Sequence, residues 1–181
     1  MIWYFLIIAV SVAADQLIKM WALESLAPVG TIQFIPGLLK WTYVENRGAA
    51  FGIFAGQRWI LSAVSIVIVL ACIVLLVKKY FKTGLENVCV ALIAGGGIGN
   101  LIDRISRGFV VDYIDINELF PYPMFNLADC CVVVGAILLA VYIIIDDAKK
   151  EKEKKAALTE TVEETIEECN CNDESNTEDN T

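Results

Sequence analysis

Long apolar runs separated by short polar segments run along this chain, and they predict four membrane-spanning helices. Residues 59–77 carry no charge, and residues 127–145 carry only Asp129. Each run has 19 residues, which at about 1.5 Å per residue approaches the roughly 30 Å hydrocarbon core of a bilayer. Two weaker runs end in polar residues. The predicted spans are residues 1–23, 59–77, 86–104 and 127–146.

The composition supports a membrane location. With 57% hydrophobic residues and a mean hydropathy of +0.60 over 181 residues, the chain holds more apolar side chain than a small soluble core can bury. The first span has an alternative reading as a cleaved signal peptide, because Ala13 and Ala14 resemble a cleavage site, but no basic segment precedes it. We therefore interpret the chain as an integral, mainly α-helical membrane protein.

The lysines indicate how the predicted helices are oriented. Residues 78–84 contain three lysines and residues 149–155 contain five. The positive-inside rule places both segments, and hence both termini, in the cytoplasm, with residues 24–58 and 105–126 outside. Polar residues from distant parts of the chain then converge near the outer interface: Asp15, Asn100, Asp103, Arg104, Asp112, Asn126 and Asp129.

The end of the chain differs from the rest. Residues 148–181 hold 5 lysines and 11 acidic residues, which gives this segment a net charge of −6. We interpret it as a solvated cytoplasmic tail, separate from the domain of residues 1–147, in which a short helix passes into disorder. Its cysteines, Cys169 and Cys171, have no evident role.

The residue types that the chain lacks or contains exclude several kinds of active site. The chain has no histidine, which excludes Ser-His and Cys-His nucleophile pairs and the HExxH zinc site. Cys72 and Cys89 lie in apolar spans, where thiols act as small packing groups. Cys130 follows Asp129 but has no base to activate it. We predict no disulfide, no metal site and no cofactor.

Two aspartates are the candidate catalytic groups, because ionised carboxylates in hydrocarbon are costly and usually face a cavity. Asp112 follows the third span and Asp129 opens the fourth. Two carboxyl groups about 3 Å apart share one proton, so that one can act as general base on a water while the other polarises the attacked carbonyl as an acid. In the alternative, each aspartate only caps a helix and offsets its dipole.

Helical spacing groups the other polar residues. Asn100, Asp103 and Arg104 are spaced i, i+3 and i+4 and share one helix face. The Arg104 guanidinium could pair with an aspartate or hold a lipid phosphate. The four glycines of residues 95–99 indicate close helix packing. Residues 42–52 resemble a β-like segment and a turn, in which Asn46 either hydrogen-bonds an extended peptide or is a simple turn residue.

Five sequence blocks occur in a definite order along the chain. They are AspGlnLeuIleLys (15–19), ValGluAsnArgGlyAlaAlaPheGly (44–52), GlyGlyGlyIleGlyAsnLeuIleAspArg (95–104), PheValValAspTyrIle (109–114) and PheAsnLeuAlaAsp (125–129). Together they resemble the signature blocks of the lipoprotein signal peptidase family, also called signal peptidase II. The resemblance covers nearly all of residues 1–147 and leaves out the acidic tail.

The resemblance implies roles for individual residues. Asp112 and Asp129 correspond to the family's catalytic dyad. The substrate-binding or site-supporting positions correspond to Asp15, Lys19, Asn46, Gly48, Asn100, Asp103, Arg104 and Asn126. The family fold adds a small extracytoplasmic β-rich cradle, here within residues 24–56, and an amphipathic interfacial helix.

The resemblance also implies a reaction. Such enzymes cut bacterial prolipoproteins just before a diacylglyceryl-modified cysteine, near the outer leaflet of the cell membrane. The expected partners are these prolipoproteins and membrane lipid, with no nucleic acid, and we expect the protein to act as a monomer. The glycines of residues 45–56 lead us to expect that this loop gates substrate entry.

Three other function classes fit the sequence less well than a signal peptidase. A proton-coupled transporter or channel subunit would spread its acids through the bilayer depth, whereas here they cluster on one side. A non-catalytic assembly protein would use the glycines for packing and would tolerate aspartate-to-asparagine changes. A presenilin-like protease would have GlyxGlyAsp on its later catalytic span, and this chain has none.

Overall fold

The computed structural model describes residues 1–48 and 57–175, with side chains described up to residue 155 except residue 153. The chain forms two compact units, the first spanning Met1–Leu139 and the second beginning at Ala140. The elements in chain order are α1 (Ile2–Trp21) with a π-helical continuation (Ala22–Leu26), β1 (Thr31–Ile35), β2 (Leu39–Asn46), α2 (Arg58–Val77), α3 (Gly84–Ser106), β3 (Val110–Asp115) and α4 (Leu127–Ser175).

The four predicted spans are confirmed as helices. Within the described residues, four segments are long and apolar enough to cross a membrane, and their mean hydropathies range from 1.5 to 3.3. They are Ile2–Leu26, Arg58–Val77, Gly84–Ser106 and Leu127–Lys152. The glycine-rich helix α3 has the lowest value and is also the span with the most buried residues. We infer that contacts with the other helices stabilise α3 in the bundle more than its own hydropathy does.

Small residues let the other spans approach α3 closely. Gly95 faces Ser11 of α1, Gly97 faces Val69 of α2, and Gly96 lies against the Ala128 carbonyl of α4. A Cβ atom at Gly95 would lie 2.8 Å from the Ser11 Cβ, and one at Gly97 would lie 2.8 Å from a Val69 methyl. The glycines thus serve helix packing, and they bring the start of α4 against the carboxyl-terminal half of α3.

We expect Gly96→Ala to destabilise the protein by about 1–3 kcal/mol, the usual cost of overpacking a tight contact. The added methyl group would collide with the Ala128 carbonyl and approach a Val132 methyl to 2.8 Å. Gly84→Ala is the matched control, because nothing lies within 4 Å of a Cβ there. Thermal unfolding in detergent measures both, and equal stability of the two variants would contradict the packing account.

A three-stranded antiparallel sheet, in the order β1-β2-β3, lies beside the end of α1. Val44 of β2 pairs with Asp112 of β3, and Asn46 pairs with Val110. Val111 and Tyr113 are buried with Ala22 and Leu26, at the end of the first span. The family resemblance implies a sheet within residues 24–56 but not its third strand, which comes from the segment after α3. This third strand positions Asp112.

Some predictions fall outside the described residues. The loop expected to gate access is described only up to Gly48, since residues 49–56 lie outside the described ranges. The backbone is helical to Ser175, and the disorder predicted for the end of the tail falls partly on residues 176–181, which also lie outside. The described ranges contain no separate interfacial helix besides the elements given above.

Candidate active site

Asp112 is buried on β3 and accepts two hydrogen bonds from asparagine amides. Asn46 Nδ2 donates to Asp112 Oδ2 at 2.9 Å, and Asn126 Nδ2 donates to Oδ1 at 2.6 Å. The Gly48 backbone N–H donates to Asn46 Oδ1 at 2.9 Å, which orients the amide so that its nitrogen faces Asp112. Asn46 is thus the last residue of β2, and its side chain connects the following segment to the aspartate. Its hydrogen bond to an extended peptide stays a prediction.

Asp129 lies in the first turn of α4, as the alternative capping interpretation requires. The Asn126 backbone N–H donates to Asp129 Oδ2 at 3.2 Å, and the Asp129 N–H donates to Asn126 Oδ1 at 2.9 Å. This reciprocal pair is a capping box, which satisfies two otherwise unpaired donors at the helix start. The other carboxylate oxygen, Oδ1, accepts from Asn100 Nδ2 at 2.7 Å. Asp129 thus both caps α4 and takes part in the buried polar cluster.

Asn126 links the two aspartates directly. Its amide nitrogen reaches Asp112, while its amide oxygen and backbone N–H bind Asp129. Asn126 Nδ2 also lies 3.1 Å from Asn100 Oδ1, so both asparagines belong to one network. Both are buried, and neither can turn without breaking several bonds. The two carboxyl groups are therefore held in fixed orientations around Asn126.

The first N–H groups of α4 are satisfied by two other elements. Leu127 N–H donates to the Tyr113 hydroxyl on β3 at 3.1 Å, and Ala128 N–H donates to Asp15 Oδ1 on α1 at 3.0 Å. Helix starts leave such donors unpaired unless a side chain accepts from them. The start of α4, and Asp129 with it, is thereby tied to both β3 and α1.

Lys19 is fully buried and its ammonium group has three acceptors. Its Nζ lies 2.8 Å from Asp15 Oδ2, 3.0 Å from Asp103 Oδ2 and 2.8 Å from Asn100 Oδ1. An ammonium group has three donors, so each proton has a partner. Gly99 makes room for this pair, because a Cβ atom there would lie 2.5 Å from Asp15 Oδ2. The Lys19 charge is thus paired with two carboxylates outside the Asp112–Asp129 pair.

Asp103 has further partners besides Lys19. Arg107 pairs with Asp103 Oδ1, and Gln16 Nε2 donates to the same oxygen at 3.1 Å. Asp103 Oδ2 accepts the Val111 backbone N–H at 3.1 Å, which fixes β3 one residue before Asp112. Arg107 was overlooked because it follows the predicted end of the third span, although its i+4 spacing from Asp103 was a usable signal.

Arg104 lies near the aspartates without an ion pair to one of them among the described residues. Its Nη1 lies 3.5 Å from the Asn100 carbonyl, a long contact. Of the two possibilities for Arg104, pairing with an aspartate or binding a lipid phosphate, the first is not seen among the described residues, where Asp103 is paired with Lys19 and Arg107. Its guanidinium instead lines the cavity in front of the two aspartates.

A cavity of about 180 Å³ opens onto both aspartates. It is lined by Asn46, Asn100, Arg104, Val110, Asp112, Tyr122, Pro123, Met124, Phe125, Asp129 and Val133. A second cavity of about 230 Å³ continues along α2, α3 and α4 and shares Asn100, Arg104, Asp129 and Val133 with the first. Its other lining residues are mostly apolar. The carboxyl groups therefore sit where a polar site meets an apolar groove between spans.

The pKa of Asp112 is raised to about 7, first because burial disfavours the charged form and second because Asp129 lies nearby. The hydrogen bonds from Asn46 and Asn126 and the charge of Lys19 oppose this rise in pKa. These three groups stabilise the ionised form of Asp112, but their combined effect on its pKa is smaller than the effect of burial and Asp129. A carboxyl group with such a pKa can hold or release a proton near neutral pH.

Comparison with known proteins assigns the family. The family described as signal peptidase (SPase) II matches residues 7–145, more than half of the chain. The chain belongs to the signal peptidase II family. A lipoprotein signal peptidase of Clostridium acetobutylicum is 43% identical over 134 residues, covering 73% of this chain and 87% of that protein. One of Clostridioides difficile is 43% identical over 135 residues, covering 74% and 89%.

Solved structures agree with this assignment. A structure described as a bacterial membrane enzyme superposes with a TM-score of 0.76 at 31% identity, covering 81% of this chain and 90% of that chain. A second, described in the same words, gives a TM-score of 0.70 at 31% identity, with coverage of 77% and 91%. The chain is therefore an aspartic-type peptidase, a hydrolase, and a multi-pass membrane protein.

Proposed function

We propose that this peptidase removes the signal peptide from prolipoproteins by cleaving before the diacylglyceryl-modified cysteine, with Asp112 and Asp129 as its catalytic pair and a water molecule as nucleophile. Membership of the signal peptidase II family and relatives named lipoprotein signal peptidase support the substrate class. The site supports the chemistry. A proton-coupled transporter is not favoured, because the comparisons assign a peptidase family.

The observation that carries the proposal is the double attachment of Asn126. One asparagine binds Asp112 through its amide nitrogen and Asp129 through its amide oxygen and backbone N–H. If Asp129 were only a helix cap, nothing would require its neighbour to bind a second buried carboxyl group on a separate strand. The arrangement is what a pair of carboxyl groups acting on one bond needs, because geometry fixed in advance lowers the entropic part of the barrier.

The charges around the pair support shared protonation. The buried cation Lys19 is paired with Asp15 and Asp103, and it reaches Asp129 only through the neutral amide of Asn100. A lysine bound directly to either catalytic aspartate would favour full ionisation of both. Neutral amide donors orient the carboxyl groups too, but they stabilise the ionised form less than a lysine would. One carboxyl group can then remain protonated beside one carboxylate.

The reaction follows from this state. The carboxylate takes a proton from the attacking water, whose oxygen bonds to the scissile carbonyl carbon, while the protonated carboxyl group hydrogen-bonds to the carbonyl oxygen. Collapse of the tetrahedral intermediate breaks the C–N bond, and the departing nitrogen takes a proton from the pair. The products are a signal peptide with a new carboxylate and a lipidated cysteine with a free amino group.

The contacts of the supporting residues indicate a role for each of them. Asn46, positioned by Gly48, and Asn100 orient the two carboxyl groups. Asp15, Lys19 and Asp103 tie α1, α3, β3 and the start of α4 together. Arg104, which lines both cavities, is placed to bind a substrate carbonyl or a lipid phosphate.

The proposed arrangement in the membrane follows the lysine distribution. Both termini lie in the cytoplasm, and the site lies near the outer leaflet. The peptidase domain is residues 1–147, and residues 148–181 form a cytoplasmic tail. The acyl chains of the substrate would hold the scissile bond at the depth of the aspartates. The enzyme acts as a monomer on membrane-embedded prolipoproteins and needs no cofactor.

The function is tested with purified protein and two synthetic prolipoprotein peptides, one with a diacylglyceryl cysteine and one with an unmodified cysteine. We expect cleavage before the modified cysteine and little cleavage of the unmodified peptide, because the lipid positions the bond. Equal cleavage of both peptides would refute the lipid requirement. No cleavage of either, together with proton flux in liposomes containing the protein, would favour the transporter alternative.

We expect turnover to fall as the pH rises through about 7, because Asp112 then loses the proton that the pair shares. Asn46→Ala removes a hydrogen bond that lowers the pKa of Asp112, so the falling limb should move to higher pH. Asp115→Asn, on the same strand, should leave the limb in place. The measurement is kcat against pH for the three proteins, and an unmoved limb in Asn46→Ala would contradict the assignment of this limb to Asp112.

A further inference from the structure

A third cavity, which shares no lining residue with the two at the aspartates, lies at the opposite end of the helices. Its volume is about 390 Å³, within the range of small-molecule sites. It is lined by Met1, Tyr4, Leu76, Lys79, Phe81, Lys82 and Asn87. The lining comes from the start of α1, the end of α2, the α2–α3 connection and the start of α3. The 23-residue helix α3, about 34 Å long, separates this cavity from Asp103.

Two lysines give this cavity its charge. The ammonium groups of Lys79 and Lys82 have no hydrogen bond or ion pair to a described residue, and no acidic residue lines the cavity. Glu86, the nearest acid along the sequence, is engaged with Thr83 in the capping box of α3 at 2.6 Å and 3.1 Å. The cavity is therefore a basic site whose positive charge no acidic side chain neutralises within the part of the chain whose side chains are described.

The backbone at Lys79 is unusual. α2 ends in a Schellman motif, in which Tyr80 N–H donates to the Leu75 carbonyl at 3.1 Å and Lys79 N–H donates to Leu76 at 3.2 Å. Lys79 occupies the left-handed position, with φ of 50°, where glycine is the usual residue. A lysine there costs conformational free energy. The chain keeps a strained lysine at the cavity wall where a glycine would fit better.

The connection between α2 and α3 is held in one shape. Asn87 is buried and its amide donates to the Phe81 carbonyl at 3.1 Å and to the Thr83 carbonyl at 2.6 Å. These bonds, with the capping box, fix the segment that carries Lys82. Since both amide protons are used, the Asn87 oxygen is the part that can accept a hydrogen bond from a ligand hydroxyl.

We propose that this basic cavity binds the phosphate headgroup of an anionic phospholipid. Charge complementarity favours a phosphate, and the position favours a lipid over a free ion, because the cavity opens beside membrane-facing apolar surface. Ile2 and Trp3 on α1 and Val74 and Val77 on α2 are exposed there, so acyl chains can lie along the two helices. Basic pockets between spans bind such headgroups at the cytoplasmic side, where the proposed topology places this end.

The test measures lipid binding by native mass spectrometry of the full chain in detergent. The probes are dioleoyl phosphatidylglycerol and, as the neutral counterpart, dioleoyl phosphatidylcholine. We expect one phosphatidylglycerol to bind in preference, and Lys82→Gln and Lys79→Gly each to weaken it about fivefold. Lys78→Gln is the matched control, since it removes an adjacent charge that does not line the cavity, and it should change the affinity much less.

Lys79→Gly also separates binding from folding. Because glycine relieves the left-handed strain, its thermal stability should equal or exceed that of the wild type while its phosphatidylglycerol affinity falls. Equal losses with Lys78→Gln would indicate unspecific surface attraction and overturn the proposal. So would equal affinity for the two lipids, or stabilisation by inorganic phosphate alone with the same dependence on Lys79 and Lys82, which would assign the site to a free anion.

Discussion

Asp112→Asn and Asp129→Asn should each lower kcat for prolipoprotein cleavage by at least about 10²–10⁴-fold, the scale of general acid–base catalysis. Asparagine keeps the shape of the side chain but cannot share a proton. In both variants an amide oxygen can still accept one of the bonds that Asn126 donates. The fold should therefore survive, and the loss should appear in kcat more than in the thermal midpoint.

Asp115→Asn is the matched control for these two variants. Asp115 is on the same strand as Asp112, but its partners are the Thr42 hydroxyl and the backbone and side-chain amides of Asn117, none of which lines the cavity. We expect its activity to stay within a few-fold of wild type. If Asp112→Asn or Asp129→Asn retained similar activity while folded, the carboxyl groups would be structural, as a non-catalytic assembly protein would require.

Lys19→Met should destabilise the protein by about 3–5 kcal/mol, the cost of breaking a buried ion pair by removing one partner. Its ammonium group is 0% exposed and lies between Asp15 and Asp103, which are 1% and 0% exposed. Methionine fills similar space but leaves Asp15 without a cation and Asp103 with Arg107 alone, and Asn100 Oδ1 loses a donor. The measurement is thermal or denaturant-induced unfolding in detergent.

Two comparisons sharpen this second prediction. Lys40→Met removes a lysine whose ion pair with Glu118 is about one-third exposed on each side, so its effect should be much smaller. Asp15→Asn and Asp103→Asn together remove the carboxylate charges, and adding Lys19→Met to that background should cost far less than in the wild type. An equal cost in both backgrounds would contradict the ion-pair account.

The helices of this fold are predictable from sequence because hydropathy and length report them directly. The strand β3 is not, since its residues, Val110–Asp115, are nearly all buried and show no alternation of apolar and polar positions. Its partner β2 lies more than 60 positions earlier in the chain. Such pairing depends on tertiary contacts, because both strands must cover the end of α1.

In the site, too, some contacts are predictable from the sequence and others depend on tertiary structure. The i, i+3, i+4 spacing placed Asn100 and Asp103 on one face, and the structure brings their side chains to Lys19. Spacing could not show that Arg107 would pair with Asp103 while Arg104 would line the cavity. Nor could it show that the Tyr113 hydroxyl would accept the Leu127 N–H, because this bond depends on where β3 lies.

The most direct test of the proposed chemistry is cleavage in water enriched in ¹⁸O, followed by mass spectrometry of both products. Direct attack by water predicts a signal peptide that carries ¹⁸O in its new terminal carboxylate, ending at the residue before the diacylglyceryl cysteine, and a cysteine product with a free amino group and no label. Cleavage at another bond, or an unlabelled signal peptide, would contradict hydrolysis by water at the bond before the lipidated cysteine.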